Sequence, residues 1–170
     1  MPELFVNKVA ESGLVTLDLE ELGGKLEWEV FDLKPFLFME LILKEKDFRE
    51  ALRVHDWNKY QGKLVSVFCS ADAIIPMWAY MLIGSFLQPV AAGVLYGPPE
   101  IARQQWLMNK VNDLNAGEFA GKRVVIKGCG DEPVSEGVYL AATVKLREVA
   151  KSIMYGEPCS TVPIFKQKVS

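Results

Sequence analysis

Hydrophobic and polar residues alternate in two short stretches near the start of the chain. Residues 17–20 alternate, Gly23-Gly24 supplies a turn, and residues 26–30 alternate again. A period of two is typical of strands with one solvated face, and two such runs around a glycine turn indicate a hairpin. The pattern therefore predicts an N-terminal antiparallel hairpin that packs one face against the rest of the protein.

Two helices are predicted between this hairpin and residue 57. Pro35 suits the first position of a helix that continues through Leu43, because its fixed φ is compatible with a helix start. Asp47 begins a capping-box pattern with Glu50 three residues later, and the helix that it opens should end near Val54. Residues 1–57 thus form the N-terminal hairpin and its helices.

From residue 58 onward the chain is similar to itself at a fixed offset of 59. Residues 58–99 and 117–158 are identical at eleven of forty-two positions, whereas chance gives about two or three. The identical pairs are Gly62/Gly121, Lys63/Lys122, Val65/Val124, Asp72/Asp131, Tyr80/Tyr139, Leu87/Leu146, Val90/Val149, Ala91/Ala150, Tyr96/Tyr155, Gly97/Gly156 and Pro99/Pro158. This pattern indicates an internal duplication.

Each copy has the pattern of a β-α-β unit, with a β-branched run, an amphipathic stretch and a second short apolar run. The predicted strands are 64–68, 94–96, 123–127 and 152–155, the repeat helices are 73–91 and 134–150, and a helix near 100–114 joins the copies. Strands separated by helices favour a mostly parallel sheet covered on both faces. We therefore predict one α/β domain over 1–170, in a helix-sheet-helix arrangement with the N-terminal antiparallel hairpin attached.

Charge and cysteine content limit the partners and the compartment. The 170 residues include 19 basic and 22 acidic side chains, for a net charge of −3, and a chain without a dense basic patch is not expected to bind nucleic acid. The uncharged stretch Ala73–Tyr96 is long enough to span a membrane, but Pro76, Pro89 and Gly93 interrupt it, so a buried helix and strand are expected instead. Three cysteines in separate segments favour a reducing compartment, hence the cytoplasm.

The cysteines are the candidate chemistry, since each follows a predicted strand. Cys69, Cys129 and Cys159 come after the first, third and fourth repeat strands. Ends of parallel strands share one edge of a sheet, where ligands commonly bind, so the three thiols are expected to converge if those strands are neighbours. Thiolates suit Zn²⁺ or an iron-sulfur cluster, with Asp72 or Asp131 as an oxygen ligand.

Two alternatives remain beside this metal site. The cysteines are small hydrophobic residues that can simply pack in the interior, which leaves a structural or adaptor protein; or Cys69 or Cys159 is the nucleophile of an enzyme. A cysteine phosphatase is excluded, because no Arg stands six residues after any cysteine. The single histidine, His55, precedes the first repeat strand and is interpreted as structural. The sequence leaves open whether the protein forms a homo-oligomer.

Several long motifs make the chain similar to a known family. They are 55–57, 60–63, 69–74, 78–82, 122–129 and 150–164, which read HDW, YQGK, CSADAI, WAYML, KRVVIKGC and AKSIMYGEPCSTVPI. With these motifs the chain resembles the bacterial family called domain of unknown function 2480 over nearly its whole length. The resemblance implies no activity. It does imply iron-sulfur assembly proteins as partners, which agrees with a metal- or cluster-handling site.

Overall fold

The computed structural model describes residues 6–9, 13–128, 130–157 and 160–169. The described strands are β1 (Val6–Val9), β2 (Leu14–Asp18), β3 (Trp28–Asp32), β4 (Leu64–Phe68), β5 (Gly93–Tyr96), β6 (Arg123–Lys127), β7 (Ser152–Glu157) and β8 (Ser160–Lys166). The α-helices are α1 (Leu19–Leu22), α2 (Glu45–Val54), α3 (Met77–Leu87), α4 (Pro99–Asp113) and α5 (Glu136–Arg147), and short 3-10 helices span Lys34–Phe36, Trp57–Tyr60 and Ala116–Phe119.

The chain divides into two compact units, each with its own sheet. The first unit comprises Met1–Lys25 and Gln104–Ser170, and the second comprises Leu26–Arg103. In the first unit the described strands follow the order β1-β2-β6-β7-β8, with β2, β6 and β7 parallel and the outer pairs antiparallel. In the second unit β3, β4 and β5 are all parallel. The protein is therefore a mixed α/β structure with mostly parallel strands, as its sequence predicts.

Each unit has a hydrophobic core against one side of its sheet. In the first unit α5 supplies Val138, Ala142 and Leu146, which pack with Phe119 and Val124. In the second unit α3 supplies Ala79, Ile83 and Leu87 in the same way, with α2 added beside it. Residues four apart lie on one face of a helix, so α3 and α5 each present one apolar stripe to their core, and other helices of the same unit complete it.

The two units place the same elements at the same positions along the repeat. Strand β4 and strand β6 begin and end 59 residues apart, as do the 3-10 helices that precede them. Val65 pairs with Val94 in β5, and Val124 pairs with Ile153 in β7. The preceding turns also agree, because the Gly62 amide donates to the Val90 carbonyl at 2.9 Å and the Gly121 amide donates to the Val149 carbonyl at 2.8 Å.

The predicted hairpin across residues 17–30 is wrong. Asp18 accepts hydrogen bonds from the amides of Glu20 and Glu21, at 3.0 and 3.2 Å, and so caps α1 where the prediction continues the strand. As a result, β2 and β3 pair with different partners, β6 and β4. The antiparallel pair that does occur at this end of the chain joins β1 to β2.

The helix predicted from Pro35 to Leu43 is also wrong. A 3-10 helix covers only Lys34–Phe36, and Met39 and Glu40 have φ values of 52° and 59°. A right-handed helix cannot pass through residues with positive φ. By contrast, the predicted end of α2 at Val54, the strands 64–68 and 123–127 and the helix after Pro99 are confirmed.

Two helices are shorter than predicted, and a strand near the end of the chain was not predicted. The repeat helices, predicted over 73–91 and 134–150, span only Met77–Leu87 and Glu136–Arg147. Strand β8 was not predicted, and its Pro163 is tolerated because β8 lies at the end of the described sheet, where a missing donor costs least. Of the helices in the described ranges, none combines the length and apolar character needed to cross a bilayer.

Candidate functional site

The carboxyl ends of β2, β6 and β7 form one edge of the first sheet, which we call the first edge. Asp18 ends β2 and Lys127 ends β6, and these two residues are paired in register. Their side chains also form an ion pair, with Lys127 Nζ 3.5 Å from Asp18 Oδ2, and they are only 23% and 15% exposed. The same Asp18 carboxylate caps α1 through its other oxygen. One carboxylate thus fixes the position of a helix and of the end of the neighbouring strand.

A cavity of about 700 Å³ opens beside this edge. Its described lining residues are Asp18, Glu20, Glu21, Gly24 and Lys25. Three carboxylates against one ammonium group give this lining a negative balance, and oxygen-rich anionic pockets favour cations or ligands that present amines.

Close contacts surround the loop between β6 and α5, which contains Cys129. A side chain at Gly128 would meet Tyr139, whose Oη lies 2.5 Å from the built Cβ position, and Val134 at 3.0 Å. A side chain at Gly130 would overlap the Glu20 carboxylate. A Cβ at Gly128 would therefore require Tyr139 and Val134 to shift, whereas at Gly130 the end of the flexible Glu20 side chain could move aside. In the structure the Glu20 carboxylate lies directly against this loop.

The corresponding edge of the second sheet, which we call the second edge, has another aspartate at the end of its first strand. Asp32 accepts hydrogen bonds from the Ser70 amide at 2.9 Å, the Ser70 hydroxyl at 2.5 Å and the Lys34 amide at 3.0 Å. Burial acts to raise the pKa of Asp32, but these hydrogen bonds outweigh it and hold the pKa below its ordinary value of 3.8. Asp32 therefore ties the loop after β4 to the end of β3.

Cys69 lies on this second edge, half-buried beside two tyrosines. Its thiol donates to the Ala71 carbonyl at 3.6 Å. The rings of Tyr80 and Tyr96 meet edge to face with centroids 5.5 Å apart, and the equivalent Tyr139 and Tyr155 do so at 5.7 Å in the first unit. Burial raises the pKa of Tyr80, and the nearby Tyr96 and Cys69 raise it further. Both edges thus retain the same pair of tyrosines.

His55 lies within an aromatic cluster, as its structural interpretation predicts. Its Nε2 is 2.9 Å from Tyr60 Oη, and its ring packs against Phe31, Phe36 and Trp57. Burial lowers the pKa of His55 below 6.5, and the positive charge of Lys59 adds to this. A neutral ring held in this cluster stabilises the packing around α2.

The predicted five-residue metal site is spread over both units. Cys69 and Asp72 belong to the second unit and Asp131 to the first, and both aspartates are exposed. Cys129 and Cys159 lie outside the described residues. Across the described residues, no three His, Cys, Asp or Glu side chains form a group that could hold a metal ion.

The premise that the three cysteine-bearing loops leave neighbouring strands is wrong for Cys69. The strand before it, β4, pairs with β3 and β5, whereas β6 and β7 belong to the other sheet. The two described strands within residues 14–32 belong to different sheets, because β2 pairs with β6 and β3 pairs with β4. Strand β6 precedes Cys129 and strand β7 precedes Cys159, and these two strands are hydrogen-bonded neighbours.

Sequence reasoning did not identify Asp18 and Asp32. The signal that could have identified them is short: Leu17-Asp18-Leu19 and Phe31-Asp32-Leu33 share an apolar-Asp-Leu pattern. The four flanking hydrophobic residues are at most 1% exposed. An aspartate fixed between two buried residues at a strand end is well placed to cap the turn that follows.

These features define a mixed α/β protein with one mixed sheet and one parallel sheet, each with an aspartate and a tyrosine pair at the carboxyl ends of its parallel strands. No curated protein and no solved structure matches the chain. The model of the family described as "Protein of unknown function (DUF2480)" matches residues 3–167, and the chain belongs to that family.

Proposed function

We propose that the first edge handles a soft or borderline metal ion, or an iron-sulfur cluster, bound through Cys129 and Cys159. The observation that supports this best is the pairing of β6 with β7, in which Ile126 stands opposite Tyr155. Cys129 follows Ile126 by three residues and Cys159 follows Tyr155 by four. Neighbouring strands lie about 5 Å apart, while two thiolates on one tetrahedral zinc ion need sulfurs about 3.8 Å apart.

The donor chemistry of the surroundings agrees with this proposal. Glu20 lies against Gly130 and lines the acidic cavity, and Asp131 follows Gly130 in the same loop. Two thiolates and one or two carboxylates are a suitable ligand set for Zn²⁺. The iron-sulfur alternative requires more sulfur ligands than the first unit has cysteines, so a cluster would need thiols from another protein. Such a requirement fits an accessory of iron-sulfur assembly proteins.

This proposal uses two of the three cysteines, and Cys69 supplies the matched control. Untagged protein purified under reducing conditions should contain bound metal by mass spectrometry, with absorption spectra distinguishing iron-sulfur from zinc. Cys129→Ser and Cys159→Ser should each lose the metal, whereas Cys69→Ser should retain it. A chelator should lower the melting temperature of the wild type and of Cys69→Ser alone, because a ligand that binds the folded state stabilises it.

Two results would contradict the proposal. Protein that contains no metal, and takes up neither Zn²⁺ nor iron and sulfide on reconstitution, would exclude the site. Loss of metal from Cys69→Ser as well would instead favour a site shared by all three cysteines, together with Asp72 or Asp131.

We also infer that the two units arose by duplication of one β-α-β unit. The support is the agreement of β4 with β6, the 3-10 helices, the positive φ of the turn glycines and the buried positions on α3 and α5. After a duplication, the two edges can acquire different chemistry. Cys69 in the second unit and Gly128 at the equivalent position of the first unit are one such difference.

A further inference from the structure

The second unit exposes five large apolar side chains on α3, on α4, in β5 and in the loop before α3. They are Ile74, Met77, Met81, Tyr96 and Ile101, which are 95%, 72%, 74%, 65% and 57% exposed. We call this set the apolar face. Single exposed hydrophobic residues are ordinary, but a group of this size usually marks an interface.

Contacts link the three elements that carry most of the apolar face, α3, β5 and α4. Met77 and Met81 are one helical turn apart on α3, on the side opposite its buried residues. Tyr80, between them in sequence, meets Tyr96 with ring centroids 5.5 Å apart. Ile101 lies over Gly97, the residue after Tyr96, because a Cβ there would be 3.0 Å from Ile101 Cγ2.

The fold does not require position 77 to be apolar. The first unit places Glu136 where the second has Met77, on the same exposed side of the equivalent helix, and it places Glu132 where the second has Ala73. A similar arrangement of strands and helix therefore forms with a charged residue at the position of Met77. An exposed methionine at this position is more simply explained by something that covers it.

The lack of charge in the apolar face and the area of that face indicate what covers it. We propose that the apolar face packs against the same face of a second copy of this chain, related by a two-fold axis. Near such an axis each residue approaches its own counterpart, so any charged side chain would meet a like charge. The segment Ala73–Tyr96 contains no charged residue in a chain that is 24% charged.

The area of the apolar face is sufficient for a stable dimer. At about 150–250 Å² for each large side chain, the exposed fractions amount to roughly 700 Å² per copy, or about 1,400 Å² in total. Stable interfaces bury about 1,200–2,000 Å². Methionine side chains, which adapt their shape readily, suit a surface that must be complementary to itself. This proposal is independent of the metal site.

Oligomeric state under reducing conditions tests the proposal. By light scattering and sedimentation at concentrations up to about 100 µM, the wild type should have twice the chain mass of 19.0 kDa. Met81→Glu and Met81→Lys should each be monomeric, with the mass of one chain. Leu140→Glu, at the equivalent and 67% exposed position of α5, is the matched control and should remain a dimer. All these positions are exposed, so circular dichroism should show unchanged folding.

Mixing the charged variants tests self-packing directly. If each copy of residue 81 faces its counterpart, equal amounts of Met81→Glu and Met81→Lys should restore the doubled mass, since opposite charges then meet. A mixture that stays at the single mass would overturn the two-fold arrangement. A wild-type chain that is monomeric throughout, or that co-purifies in a one-to-one complex with a different protein, would overturn the second copy as the occupant, as would dissociation by Leu140→Glu alone.

Discussion

Replacing three glycines by alanine should change stability in opposite directions, for reasons that can be read from their backbone angles. Gly62 and Gly121 have φ values of 70° and 69°, in equivalent turns before β4 and β6. Gly84 lies inside α3, where φ is negative. No atom lies within 4 Å of the Cβ position built at any of the three, so steric clashes do not contribute and only the backbone conformation differs.

The expected free energies follow from that difference. An L-residue in the left-handed region costs about 1–2 kcal/mol, and the lower entropy of an unfolded chain with alanine returns about 0.4–1 kcal/mol. Gly62→Ala and Gly121→Ala should therefore each lower the free energy of unfolding by about 1 kcal/mol. Gly84→Ala should raise it by about 0.5–1 kcal/mol, because alanine is the better helix former. The effect of a glycine-to-alanine change on the free energy of unfolding thus differs by about 2 kcal/mol between the turns and the helix.

Urea unfolding of each variant, followed by circular dichroism, measures these changes. The slope with denaturant should stay the same while the midpoint shifts. Hydrogen exchange resolved by peptide should locate the loss of protection in the second unit for Gly62→Ala and in the first for Gly121→Ala. The reasoning is refuted if either turn variant is as stable as the wild type, or if Gly84→Ala is destabilised as much as they are.

Three further changes follow from the packing and hydrogen bonds. Ile83→Ala removes a fully buried side chain from the second core and should cost about 2–5 kcal/mol in urea unfolding; Val54→Ala, at an 85% exposed position outside the apolar face, is its control, and an equal loss would contradict the packing. Asp32→Ala leaves the Ser70 and Lys34 donors without their acceptor and should cost about 1–3 kcal/mol, whereas Asp72→Ala should cost little. His55 has a pKa below 6.5 when folded, so unfolding free energy should fall as pH drops from about 7.5 through 6.5 and towards that lowered pKa. His55→Asn should flatten this part of the pH profile measured by urea midpoints, and an unchanged profile would exclude His55 as its source.

The strands that sequence predicts best are those whose signals are local. In 64–68 and 123–127, β-branched runs follow turn glycines, and both the type and the bounds agree with β4 and β6. Sheet membership is not local, because it depends on which strand pairs with which. The alternation in residues 17–30 favours a hairpin, but the Asp18 cap ends the first strand and leaves β2 and β3 to pair elsewhere.

The sequence indicates candidate residues at the strand ends but does not indicate which of them belong to the same sheet. Cysteines after strands draw attention to the carboxyl edges, and within the described residues Cys69 does follow β4 at such an edge. That reasoning fails to separate Cys69 from the strands of the other sheet, since the repeat gives all its strands the same pattern. Glu20 was beyond prediction, because its place against Gly130 depends on the folding of α1.

The two proposals can be tested separately because they concern the edges of two different sheets. Tyr80 with Tyr96, and Tyr139 with Tyr155, retain one geometry at both edges, so the common fold alone does not account for either proposed role. What differs is the surrounding chemistry: Met77 and Ile74 on the second edge stand where the first has Glu136 and Pro133. If each edge has specialised independently, Met81→Glu should abolish the dimer and leave the metal content unchanged, and Cys129→Ser should do the reverse. Loss of both properties from either variant would mean that the metal is held only when two copies associate.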